Sequence, residues 1–292
     1  MPSVTRSSGL TIGQVSELLC VPVPTLRSWH RRYGVALPER TPGGHRRYAP
    51  ADVAALQALT TAVSRGIAPS TAAVTMRDSP VDPRLPLEFL AELLELARAC
   101  DQAGVLRLLE QGQRELGVEG TVERLLLPSL REIGRRWELG QLDEGVEHLA
   151  TTAARRWVAL QVAGAPEPRG VAPVLLAGAP GNEHVVALEA FEAVLRCRGW
   201  ATRQLGANAP VPSMLAVQRA TGAQAAVITA HQVSRRRAAV DALRALREVL
   251  PSTVFFAGAA FDAARQRNGV PGTYLGTVLS EAADVVEQRL TG

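Results

Sequence analysis

"PVLLAGAPGNEHVVAL", residues 173–188, joins an apolar run to a stretch with helical spacing through a short turn that carries one imidazole, His184. The run "PVLLA" (173–177) reads as a buried strand, and the spacing that follows the turn reads as a helix. Four further runs repeat the arrangement: "ATRQL" (201–205), "AAVIT" (225–229), "TVFFA" (253–257) and "GTYLG" (272–276), each followed by ten or more residues of helical pattern. Such alternation predicts a doubly wound parallel α/β sheet. Ligands of these sheets bind beyond the carboxyl ends of the strands, at the topological switch point. His184 sits at one such end.

The rest of the chain bounds what surrounds this sheet. At 292 residues and 31.1 kDa it holds two or three domains, by the rule of roughly 100–200 residues each. No apolar run approaches the ~18 residues of a membrane helix, and "MPSVTRSSGLTIG" lacks the pattern of an export signal. Cys20, Cys100 and Cys197 are odd in number, far apart and in no metal or redox spacing. A soluble, cytoplasmic protein is the expectation, with all three thiols acting as ordinary small apolar residues. Two proline-marked breaks, "RDSPVDPRLP" (77–86) and "GAPEPRGVAP" (164–173), divide the chain into domains 1–80, 81–168 and 169–292.

The basic excess lies at the N-terminus, where residues 1–80 carry 9 Arg against 4 acids, a net of +5. The chain has no Lys, so every cation is a planar guanidinium suited to phosphate and guanine. In "LTIGQVSELLCVPVPTLRSWHRRYG" (10–34), Thr11 caps a short helix with Ile12, Val15, Leu18 and Leu19 on one face, and Thr25 caps a second that ends at Tyr33. The second helix presents Arg27, His30 and Arg31 outward and turns Leu26 and Trp29 inward, the division a major-groove helix needs. "RTPGGHRRY" follows, with two glycines for a tight turn and His45, Arg46, Arg47 and Tyr48 on an edge that could grip phosphates. "DVAAL" then opens a third helix. This order of elements, over residues 10 to about 78, resembles the winged-helix DNA-binding domain of the MerR family. The resemblance implies that Arg27, Arg31, Arg46, Arg47 and Tyr48 contact DNA, and that a symmetric assembly binds a palindromic site.

Residues 84–163 read as helix throughout: Leu90, Leu93, Leu94 and Ala97, then Val105, Leu106, Leu108 and Leu109, then Val122, Leu125, Leu126, Leu130 and Ile133, then a fourth helix from about Asp143 to Val162. A four-helix bundle follows. The fold class is therefore multidomain α and α/β: winged helix-turn-helix, four-helix bundle, and a C-terminal flavodoxin-like sheet.

Chemistry for His184 must come from convergence with other groups. The turn has only part of a dinucleotide glycine pattern, in Gly178 and Gly181, and it has no serine nucleophile. A lone histidine before a helix also serves as a cap or a surface residue. In the bundle, "RRWELGQLDEGVEHLA" places Trp137 ten and eleven positions before Glu147 and His148, which offers an apolar plate, a carboxylate and an imidazole for a flat ligand. Alternatively Trp137 is core, and Glu147 and His148 are a solvated face.

A bundle with Trp, nine residues, then Glu-His, followed by a flavodoxin-like domain with His after its first strand, resembles the cobalamin-binding module of methionine synthase and corrinoid proteins. With the MerR-like segment in front, the chain resembles the CarH and LitR class of cobalamin-dependent photoreceptor repressors. The resemblance implies a cobalamin, most simply adenosylcobalamin, with His184 as lower axial cobalt ligand, Trp137, Glu147 and His148 covering the upper face, and Asn182 orienting His184. It places Thr229, in "VITAHQ", as the hydroxyl near the buried nucleotide tail, and Gly258 in a glycine pair whose second member here is Ala259. Departures from the pattern are Asn182 for an acid, Ala187 for a glycine, Glu138 for a cobalt-capturing histidine and Glu144 for an apolar residue. The implied partners are double-stranded operator DNA and further copies of the chain, as dimer or tetramer. Two alternatives stay open: a regulator whose α/β pocket takes another small molecule or serves only assembly, and a corrinoid methyltransferase subunit.

Overall fold

The structure, a computed structural model, describes residues 9–36, 38–40, 46–64, 69–70, 73, 85–168 and 172–291. Two compact units divide it, Met1–Ala91 and Glu92–Gly292.

The first unit opens with α1 (Ile12–Leu19), whose capping box is complete: the Thr11 hydroxyl accepts from the Gln14 amide, and the Gln14 side chain accepts from the Thr11 N–H. Helix α2 (Val23–Tyr33) begins two residues before the expected Thr25 cap. Pro24 explains the difference, because its fixed φ and missing N–H suit a first helical turn, and Pro22 takes the cap position. The strands β1 (Glu39–Arg40) and β2 (Arg46–Arg47) pair antiparallel, Glu39 opposite Arg47, ahead of α3 (Pro50–Ser64). Val15, Leu26, Trp29, Leu56 and Leu59 form the core as the apolar spacing requires, while Leu18 is left 60% exposed. Cys20 is not a core residue either. It ends α1 in the left-handed conformation (φ 52°) and is exposed, as is Cys100 (φ 55°).

In the second unit four helices form the expected bundle: α4 (Leu85–Arg98), which begins in the first unit, α5 (Gln102–Thr121), α6 (Leu127–Glu138) and α7 (Glu144–Ala163). Its interior is Leu93, Leu94, Ala97, Val105, Leu109, Val122, Leu125, Leu126, Ile133 and Trp157, all below 5% exposed. A π-helical turn, Val122–Leu126, joins α5 to α6 just before Pro128.

The α/β part has five parallel strands in the order β4-β3-β5-β6-β7: β3 (Val174–Gly178), β4 (Thr202–Gln204), β5 (Ala225–Thr229), β6 (Val254–Ala257) and β7 (Thr273–Tyr274). All five lie on the expected runs. Helices α8 (Val186–Cys197), α9 (Val211–Thr221), α10 (Arg236–Arg247) and α12 (Leu279–Thr291) cover the sheet faces, whose two cores are lined by Leu175, Ile228, Phe256 and by Leu176, Val227, Phe255. One expectation fails after β6. In place of a full helix there is a 3-10 turn (Ala259–Phe261) and the four-residue α11 (Ala264–Arg267), because Phe261 is drawn into the core and Gly258 turns the chain at φ 103°. The chain reverses direction across the sheet between β3 and β5, so the switch point lies at Gly178 and Thr229, which are register partners.

Bundle and sheet meet through α7 and α8, where Arg155 clamps Glu189 with contacts of 2.6 to 3.1 Å. Behind them the Arg198 guanidinium reaches Glu119 of α5 at 2.7 Å and Asp284 of α12 at 2.6 Å. Its side chain is only 19% exposed, and removing it leaves three acids facing one another: Glu119, Asp284 and Glu287. For Arg198→Ala we expect a loss of about 1–2 kcal/mol, read as a lower thermal midpoint that shrinks towards wild type in high salt.

Candidate functional site

On the first unit, Arg27 and Arg31 are exposed on α2, together with Arg32, which the sequence reading passed over although "HRRYG" displays it. His30 is half-buried, with Nδ1 against the Ala36 carbonyl, where it holds the turn that leaves the helix. Arg46 and Arg47 are partly exposed on β2, and Arg47 Nη1 donates to the Gly9 carbonyl at 3.3 Å. Tyr48 corrects an expectation. It is 2% exposed, its backbone pairs with Leu10, and its ring lies in the core beside Trp29, so it is a packing residue and not part of an exposed grip. Burial pushes its phenol up, against the downward pull of Arg46. His45 lies outside the described residues.

On the second unit, the loop between β3 and α8 carries His184 exposed at the carboxyl edge of the sheet. It is not a helix cap, since Val185 occupies that position and α8 has no side-chain cap. Asn182, 1% exposed, spends its whole amide on backbone: Nδ2 donates to the His184 carbonyl at 2.9 Å, and Oδ1 accepts from the His231 N–H at 2.9 Å. It therefore orients the loops that follow β3 and β5, and not the His184 imidazole as expected. Asn208 supports the same loop, its Oδ1 accepting from the Gly181 N–H at 2.6 Å.

The His231 ring stacks on His184, with centroids 4.5 Å apart and planes 23° from parallel. Sequence reasoning quoted this residue without singling it out. The available signal was its place two residues beyond a strand of the same sheet. Burial first, then the neighbouring His184, holds the His231 imidazole below its ordinary range, and Asp262 and Glu138 pull it back up. Glu138, in the last turn of α6, is near enough to act on His231 through its charge. Next to it Trp137 is 43% exposed and therefore not core. Glu147 accepts from Thr151 at 2.8 Å and lies 3.2 Å from His148 Nδ1, which also meets the Glu144 carbonyl at 2.9 Å. Trp137, Glu147 and His148 share the bundle end, but make no hydrogen bond, ion pair or ring contact with His184.

One feature of the edge invites a ligand. The Thr229 hydroxyl is buried with no hydrogen-bond partner among the described residues, a costly state in a folded protein. Gly258 follows β6, where an added Cβ would stand 2.3 Å from the Ala230 carbonyl oxygen, so the backbone there admits glycine alone.

A winged helix with exposed guanidiniums, in one chain with a helical bundle and a switch-point edge that carries an exposed imidazole, fits a DNA-binding regulator with a ligand-sensing half. Comparison with known proteins agrees. Residues 10–79 match the MerR HTH family regulatory protein model and residues 90–160 the B12 binding domain model. The chain is 33% identical over 217 residues to the HTH-type transcriptional repressor CarH of Myxococcus xanthus, covering 70% of this chain and 72% of that one. It is 31% identical over 209 residues to the repressor CarA of the same organism, covering 70% of each. The monomethylamine corrinoid protein of Methanosarcina barkeri shares the fold, with TM-score 0.56 and 13% identity over 69% of this chain and 99% of that one. The chain belongs to the CarH and CarA family of MerR-type transcriptional repressors with a B12-binding domain. It is a transcriptional regulator and not an enzyme. Among the described residues no helix is long and apolar enough to cross a membrane.

Asn182→Ala removes two buried hydrogen bonds and leaves two backbone groups unpaired. We expect a cost of about 2–4 kcal/mol, with hydrogen exchange at the His231 amide accelerated well beyond that of β5.

Proposed function

We propose that this regulator represses transcription in the cytoplasm by holding palindromic operator DNA as a homo-oligomer, and that a cobalamin at the switch-point edge sets the assembly. The domains we assign are 1–80 for DNA, 81–168 for the cap and 169–292 for the cofactor. The reading is carried by one observation: the edge at the switch point carries an exposed imidazole, His184, after β3 and, at the end of β5, a buried hydroxyl, Thr229, with no hydrogen-bond partner among the described residues.

These residues suit a corrinoid. His184 would offer a nitrogen lone pair to cobalt from below, a donor type transition metals take readily. The Thr229 hydroxyl would receive a hydrogen bond from the nucleotide tail or donate one to it, and Gly258 would keep the neighbouring backbone free of a side chain. Trp137 would cover the opposite face and exclude water, with Glu147, fixed by Thr151, and His148 at its rim. Bound as adenosylcobalamin, the form we favour, the cofactor would supply a cobalt–carbon bond that light breaks. Glu138 and Glu144 take the places of a histidine and an apolar residue in the family pattern, so the bundle would offer carboxylates to a bound corrinoid. Coupling to DNA follows from linkage: a ligand that prefers the DNA-competent oligomer raises its population by its difference in affinity for the two states, and no more.

Arg27, Arg31, Arg46 and Arg47 supply the cationic contacts to the duplex. Arg31→Ala and Arg46→Ala are expected to weaken binding to operator and unrelated DNA alike, and to lower the slope of log affinity against log salt by about 1 each. Unchanged slopes in mobility-shift titrations would contradict the assignment. Loaded with adenosyl-, methyl- or hydroxocobalamin and passed through gel filtration, the protein is expected to emerge coloured, with an adenosyl spectrum that changes under green light. Colourless protein in all three cases would overturn the cobalamin reading.

A further inference from the structure

A metal-binding imidazole has to hold its plane, and the usual device is a hydrogen bond from its second ring nitrogen to a carboxylate or carbonyl. This chain does not use that device at His184. The residue two positions earlier is Asn182, and both ends of its amide are spent on the backbone of His184 and His231. Among the described residues the His184 ring makes no hydrogen bond, and the group laid against it is the His231 ring, 4.5 Å away and 23° from parallel. The two imidazoles come from loops on either side of the switch point, one after β3 and one after β5. The single buried amide of Asn182 fixes both loop backbones, so the stack is set before any ligand arrives.

We propose that His231 is the positioning residue of this site: its ring, stacked on His184, holds the ligand imidazole in the plane from which it binds cobalt, in place of a carboxylate hydrogen bond. The inference rests on the cobalamin reading above. It assigns the work to the flat face of His231 and not to its nitrogens, so a phenyl ring should serve nearly as well. The backbone N–H of His231 remains in any variant, so the Asn182 bridge is kept.

The test compares wild type, His231→Ala and His231→Phe. In the cofactor-free protein labelled with carbon-13 histidine, the His184 ring protons, assigned by their loss in His184→Ala, should show a ring-current displacement in wild type and His231→Phe that disappears in His231→Ala. Equilibrium binding of hydroxocobalamin should weaken by roughly 10-fold or more in His231→Ala and stay within about three-fold of wild type in His231→Phe. Wild-type protein that takes up no hydroxocobalamin overturns the cobalamin reading and this inference with it. Wild-type protein that binds it through His184, with His231→Ala binding equally well, overturns this inference alone. Failure of His231→Phe to restore binding also overturns it, because the nitrogens would then be what the site needs.

Discussion

One buried amide holds the sensing half together. Asn182 enters the carboxyl edge of the sheet with both of its polar ends committed, one to the His184 carbonyl and the other to the His231 N–H. An amide suits this position because it donates and accepts at once. A carboxylate there could accept from His231 but would set one acceptor against another at the His184 carbonyl. Asn182 therefore braces two loops, and the ring that meets the His184 imidazole is that of His231.

The bundle is fixed on the sheet by charge as well as by packing. Arg155 and Glu189 join α7 to α8, and Arg198 ties α5 to α12, so the helix that carries Glu147 and His148 is tethered to the body that carries His184. The Glu138 carboxylate raises the proton affinity of His231 while burial and His184 lower it, which puts the bundle end in electrostatic contact with the histidine pair. A ligand held between these groups would act on both bodies, and sensing demands that.

Much of this was legible in the sequence because it is local. Apolar runs marked all five strands, Thr11 marked the first helix start, and Leu93, Val105, Leu125 and Ile133 marked the bundle interior. His184 was found by its place at a strand end, whereas Thr229 was reached only through the family resemblance. What was not legible depends on pairing across the chain. Tyr48 looked exposed beside two arginines until Leu10 closed over its backbone, and Thr25 looked like a cap until Pro24 extended the helix. The Arg155, Arg198 and Asn182 contacts span 34, 79 and 49 residues and leave no local pattern. His231 falls between these cases, since its position was readable and its partner was not.

The central claim is that His184 supplies the axial nitrogen to cobalt. Protein grown on nitrogen-15 histidine and loaded with cobalamin reduced to the paramagnetic cobalt(II) state tests it by electron paramagnetic resonance. Ligation by His184 predicts doublet nitrogen splittings in labelled wild type, lost in His184→Ala. Triplet splittings in the labelled protein, from the cofactor's own unlabelled base, would contradict it.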